Sequence, residues 1–137
     1  MGRFGDFRRV ERGLAVITLL AVLQIGCGRS GPRTVSVSGT VTWDGKPIQQ
    51  GSILFVPLDK SLGTEGGVIK DGRFEAKAKE GKNQVQITAL DIGPNTEYVE
   101  GYPIAGNFIP PRYNDQSELE VDVTAEEKTF EFPLRSK

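Results

Sequence analysis

The chain has 137 residues, 37% of them hydrophobic and 26% charged, the composition of an ordinary single globular domain. Its formal net charge of -1, with no basic block, removes the electrostatic term that dominates nucleic-acid affinity, and nucleic acid is not expected as a partner. The absence of histidine excludes Ser–His and Cys–His nucleophiles and histidine-based zinc sites.

Residues 1–26 hold Arg3, Arg8, Arg9 and Arg12 against Asp6 and Glu11, so this segment carries +2 and the remainder -3. The basic start runs into GLAVITLLAVLQI, residues 13–25. That length suits the core of an export signal and falls short of the roughly 18–20 residues of a spanning helix. The run also lacks the polar stripe of an amphipathic helix. Gly26-Cys27-Gly28 follows, with the only cysteine of the chain. An odd cysteine in an exported protein has no internal partner, which leaves a free thiol, an intermolecular bridge or a modified residue. Its place just past an apolar core, behind a small residue, resembles the lipobox of bacterial lipoproteins, although Gln24 stands where that family usually has Leu and Leu23 lies one further back. The resemblance implies cleavage before Cys27 and acylation of the new terminus, with simple secretion and an uncleaved anchor as the alternatives. Acyl chains hold by burying methylenes at about 0.8 kcal/mol each.

Residues 27–34 read as a soft Gly/Ser/Pro tether, and residues 35–135 as the folded domain. In VSVSGTVTW, residues 35–43, Val35, Val37, Val41 and Trp43 alternate with Ser and Thr, the pattern of a half-buried strand. Asp44-Gly45 signals a turn, after which Pro47 is expected to delay the paired strand. GSILFVPL, residues 51–58, is apolar on both faces and predicts a strand covered on both sides. Asp71-Gly72 between two short extended runs is the strongest hairpin signal in the chain. Residues 84–90, 118–123 and 128–134 alternate again, placing Val85, Ile87, Ala89, Leu119, Val121, Val123, Phe130, Phe132 and Leu134 inward. About seven strands without a helical period predict an all-β, seven-stranded antiparallel sandwich. Trp43, Phe55, Phe74, Phe130 and Phe132 are expected inside it.

Residues 91–117 form a long stretch without a clear period, more than a compact domain tolerates without purpose. Ile109-Pro110-Pro111-Arg112-Tyr113 is expected to pin it to the sandwich edge, with Arg112 pairing Asp115 or covering Tyr113. The candidate binding surface comprises Tyr98, Tyr102, Asn107, Phe108 and Arg112, because aromatic rings beside amides suit a protein or a sugar. Asp44, Asp71 and Asp115 lie in or beside turns, where Asp commonly bonds local backbone. No Asp-rich repeat points to calcium, and neither a metal nor a cofactor is expected. Lys60, Lys77, Lys79 and Lys82 read as a solvated face that discourages edge pairing.

Gly39-x-Val41 with Asp44-Gly45-Lys46-Pro47, the run Ile53–Pro57, and Asp71-Gly72-Arg73-Phe74 resemble the opening strands and hairpin of the carboxypeptidase regulatory-like, or transthyretin-like, domain of small bacterial lipoproteins. Ile109-Pro110-x-Arg112-Tyr113 before an acidic strand resembles the lipoprotein subgroup. The similarity covers roughly residues 35–134. It implies a prealbumin-like sandwich acting as an accessory or binding module without catalytic residues, tethered to a membrane in the cell envelope, with an envelope protein or a glycan as partner. The competing class is an enzyme that uses only carboxylates, such as a glycoside hydrolase, which needs two acids converging in one cleft.

Overall fold

The computed structural model describes residues 31–137. The expected signal segment and Cys27 lie outside these residues. Of the tether, Gly31, Pro32 and Arg33 are exposed and irregular, and regular structure starts at Thr34. Ten strands follow: β1 (Thr34–Trp43), β2 (Lys46–Pro47), β3 (Gln50–Pro57), β4 (Glu65–Lys70), β5 (Arg73–Lys79), β6 (Gly81–Ala89), β7 (Glu97–Val99), β8 (Tyr102–Ile104), β9 (Glu120–Val123) and β10 (Thr129–Leu134). A 3-10 turn spans Pro111–Tyr113, and the described residues contain no α-helix. The fold is all-β.

One hydrogen-bonded sheet runs in the order β10-β1-β5-β4-β3-β6-β9, with β2 paired to β1. These seven main strands coincide with the expected ones. Every pairing in this sheet is antiparallel except β1 with β10, which run parallel from Ser38↔Thr129 to Trp43↔Leu134. This corrects the expectation of a wholly antiparallel arrangement. The parallel pair joins the first and last strands, far beyond the reach of any local turn signal.

The sheet curls onto itself. Phe55 on β3 and Phe130 on β10 are four strands apart in the order, yet their ring centroids are 6.4 Å apart. Neighbouring strands lie about 4.8 Å apart, so a flat sheet would hold those rings at nearly 20 Å. The concave face encloses Val37, Val41, Ile53, Phe55, Ile69, Phe74, Val85, Ile87, Phe132 and Leu134, all buried. Burying each such large side chain is worth about 1.5–3 kcal/mol. Gly39 is required where β1 passes between β5 and β10, because a Cβ there would run into the Phe130 carbonyl and the Phe74 ring.

Three expectations need correction. Leu54 is 40% exposed between the fully buried Ile53 and Phe55, so β3 is covered on one face only. Among the described residues, the convex side of the sheet is left open to solvent at Leu54. Trp43, Val121 and Phe130 pack against the core but stay half-buried, because they lie at strand ends or on the outer strands of the sheet. Pro47 does not delay pairing: β2 pairs at once with Trp43 and Thr42 through Lys46 and Pro47. Proline tolerates this place because so short a strand needs few N–H donors.

Candidate functional site

Residues 91–117 are not irregular throughout. They divide into a projecting arm and a pinned return. The arm leaves the end of β6, where Leu90 bridges Asn107, Asp91 N–H donates to the Gly106 carbonyl at 3.2 Å, and Phe108 N–H donates to the Ala89 carbonyl at 3.2 Å. Thr96 Oγ1 accepts the Gly93 N–H at 2.8 Å and closes a tight turn around Pro94 and Asn95. β7 and β8 then pair as a separate two-stranded sheet, in the register Glu97↔Ile104, Tyr98↔Pro103 and Val99↔Tyr102. Their turn, Glu100-Gly101, has φ of 51° and 85°. Positive φ at both central residues is the two-residue hairpin geometry also found at Asp44-Gly45 and Asp71-Gly72.

Opposed residues of a hairpin share a face. Val99, Tyr102 and Ile104 therefore share one face with Glu97, while Tyr98 and Pro103 share the other. Tyr98, Val99, Tyr102 and Ile104 are between 57% and 76% exposed. Exposed apolar side chains grouped on so short an element make the hairpin the candidate surface of the domain. The charge around it is one-sided. Between Lys82 and Arg112 the sequence has no Lys or Arg, and it has Asp91, Glu97 and Glu100. A groove of about 500 Å³ lies along the arm between Asp91, Asn95, Glu97 and Ile104.

The pinned return is built differently. Ile109 is buried at 3% exposure. Asn107 Oδ1 accepts the Ala89 N–H at 3.0 Å and the Ile109 N–H at 3.1 Å, and its Nδ2 donates to the Ile109 carbonyl. Asn114 Nδ2 donates to the carbonyls of Ile109 and Pro110. Ser117, buried, donates to the Val85 carbonyl. Phe108 and Tyr113 both meet Trp43 edge-on, with centroids at 5.8 and 6.3 Å. The Arg112 guanidinium sits 5.0 Å from the Tyr113 ring centroid and donates to the Arg135 carbonyl at 2.5 Å. Covering Tyr113, rather than pairing with Asp115, is what Arg112 does.

The five residues of the sequence-derived surface therefore separate. Tyr98 and Tyr102 lie on the free hairpin. Phe108 packs on Trp43, and Asn107 and Arg112 spend their polar groups holding backbone. Val99 and Ile104 join the exposed face of the hairpin, though neither belongs to the five residues read from the sequence. The signal for them was Gly101 between two short runs of extended-prone residues, an X-Gly turn without the usual Asn or Asp.

Among the described residues no group of three or more acids or cysteines is placed to hold a metal ion. Among the described residues, Asp44 and Asp59 have carboxyls displaced from their ordinary value, both downward. The Ser136 backbone N–H lowers Asp44, and the Ser61 hydroxyl, with its N–H, lowers Asp59. A general acid of a glycosidase needs the opposite displacement. Against known proteins, the chain matches no family, no characterised protein and no solved structure.

Proposed function

We propose that this chain is a membrane-anchored envelope lipoprotein whose residues 35–135 form a prealbumin-like sandwich acting as a non-catalytic binding or scaffolding module. The observation that carries the binding role is the β7–β8 hairpin, which leaves Tyr98, Val99, Tyr102 and Ile104 uncovered while every other aromatic side chain of the domain leans on the core or on Trp43. Apolar surface of that kind costs solubility and is stabilised by a partner. The anchor is supported by the charge step, the short apolar run and Cys27. The partner class is an envelope protein or a glycan.

Two measurements test this proposal. Mass spectrometry of the membrane fraction should find a mature terminus at Cys27 carrying acyl chains, and finding residues 1–26 intact on the mature protein would sink the anchor. A glycan array and an envelope crosslinking experiment should give a partner lost on replacing Tyr98 and Tyr102 with Ser. Capture that survives those changes would remove the hairpin from the reading.

A further inference from the structure

The convex face of β4 and β5 is the counterpart of the hairpin in charge. Lys70 and Arg73 stand directly opposite each other in the register, both exposed, at the spacing where like charges repel. Val68, next along β4 on the same face, is 67% exposed and pairs with Glu75. Lys77 is exposed one step further, its Nζ donating to Ser36 Oγ at 3.1 Å. Lys79 is already engaged, at 3.0 Å from Glu65. A shallow groove of about 410 Å³ runs between Ser38, Val68, Lys70, Arg73 and Glu75. The face thus sets one apolar side chain among Lys70, Arg73 and Lys77, which outnumber the Glu75 carboxylate on the same face, whereas the hairpin sets its apolar side chains beside Glu97 and Glu100 with no cation between Lys82 and Arg112 in the sequence.

We infer that the hairpin of one copy docks on the β4–β5 face of a second copy, with Val99, Tyr102 and Ile104 against Val68 and with Glu97 and Glu100 against Lys70 and Arg73. Complementary patches of this kind set register and partner choice. The contact joins different surfaces of the two copies, so repetition gives rings or chains rather than a closed twofold dimer. Both patches are small beside the roughly 1,600 Å² of a standard interface, and the contact is weak in dilute solution. Tethering on a shared membrane raises the effective concentration of neighbours and compensates for that weakness. In this respect the inference rests on the lipid anchor proposed above. It narrows the partner from the envelope at large to this same chain, and an acidic hairpin also disfavours docking on an anionic lipid surface.

The test uses the full chain in its own envelope, as two differently tagged copies, with a photo-crosslinking amino acid in place of Tyr102. The expected product joins the two tags and maps to residues 66–77 of the other copy. Glu97→Lys/Glu100→Lys alone and Lys70→Glu/Arg73→Glu alone should each lower its yield by about tenfold or more, since each sets like charges against each other. Co-expressing the two reversed variants should restore it. If a reversed variant fails to accumulate, Tyr102→Phe crosslinker-free copies carrying Ile104→Ser and Val99→Ser provide the comparison, and they should lose co-purification of the second tag. Crosslinks only to another protein, to a glycan or to lipid would overturn self-docking while leaving a binding module in place. No crosslink from position 102 to anything would overturn both.

Discussion

Residues 91–106 and residues 107–117 are two parts of one connection between β6 and β9, with similar apolar content, and they behave in opposite ways. The second part carries Asn107, Asn114 and Ser117, whose side chains hold backbone groups of β6 and of the segment itself. The first part has one such tie, Thr96 to Gly93, and its remaining hydrogen bonds close only its own hairpin and join its base to β6. What fixes an irregular segment to a curled sheet is therefore the supply of short polar side chains that satisfy its backbone, with apolar anchors such as Ile109 filling the space beneath. In the first part Asn95 is exposed and makes no such bond among the described residues, and tyrosines and aliphatic residues remain in solvent.

The largest expected effect sets the scale for this contrast. Phe55 is fully buried and meets Phe74 and Phe130. Phe55→Ala should cost about 3–5 kcal/mol in urea unfolding, the usual loss for emptying a buried aromatic site. A loss below about 1 kcal/mol would mean that the curl does not close over β3.

Breaking the pinned half should cost less. Asn107→Ala strands the N–H groups of Ala89 and Ile109. The expected loss is about 1–2 kcal/mol, with faster amide exchange at Ala89 and Ile109 specifically. Exchange unchanged at both amides would show that Asn107 is not what holds the return.

A smaller tie lies beside the pinned return, where Asp44 accepts the Ser136 N–H at 3.0 Å. That hydrogen bond to the charged form holds the Asp44 carboxyl below its ordinary value of 3.8. A depressed folded pKa means that its stabilisation is present above the unfolded value and is lost as pH falls through the folded one. Asp44→Asn keeps a residue that tolerates positive φ. The difference in thermal midpoint between the two proteins should be constant at neutral pH and shrink as pH drops below 3.8. A difference that grows with acid would reverse the assignment.

Sequence patterning made most of the body legible. Alternation through Val85, Ile87 and Ala89 gave both strand and inward face, and Asp71-Gly72 gave the β4–β5 hairpin. Such signals are local, and local chemistry determines them. The parallel contact of β1 with β10 was not legible, since it depends on strands far apart in the chain meeting in space. Leu54 was misread because a run apolar on both faces looks the same whether or not a second layer covers it. At the candidate surface, Tyr98 and Tyr102 were legible as exposed aromatics. Asn107 was misread as available, because its role exists only once the end of β6 lies alongside it. The Glu100-Gly101 turn was missed because glutamate seldom adopts positive φ.

The hairpin itself should show the smallest effect on stability, and that is the sharpest test of the contrast. Tyr98 and Tyr102 are 58% and 76% exposed, and neither side chain makes a hydrogen bond or an aromatic contact among the described residues. Replacing both with Ser should move the unfolding free energy by no more than about 0.5 kcal/mol, as at other free surface positions. Phe108, only a few residues along, meets Trp43 edge-on and should behave differently. Phe108→Ser should cost about 1 kcal/mol for the lost aromatic pair. Unfolding curves for the double Tyr variant and the Phe108 variant, run side by side, would separate solvent-facing aromatics from packed ones. If the double Tyr variant lost as much as Phe108→Ser, the hairpin would be part of the folded body, and its tyrosines would not be free to meet a partner.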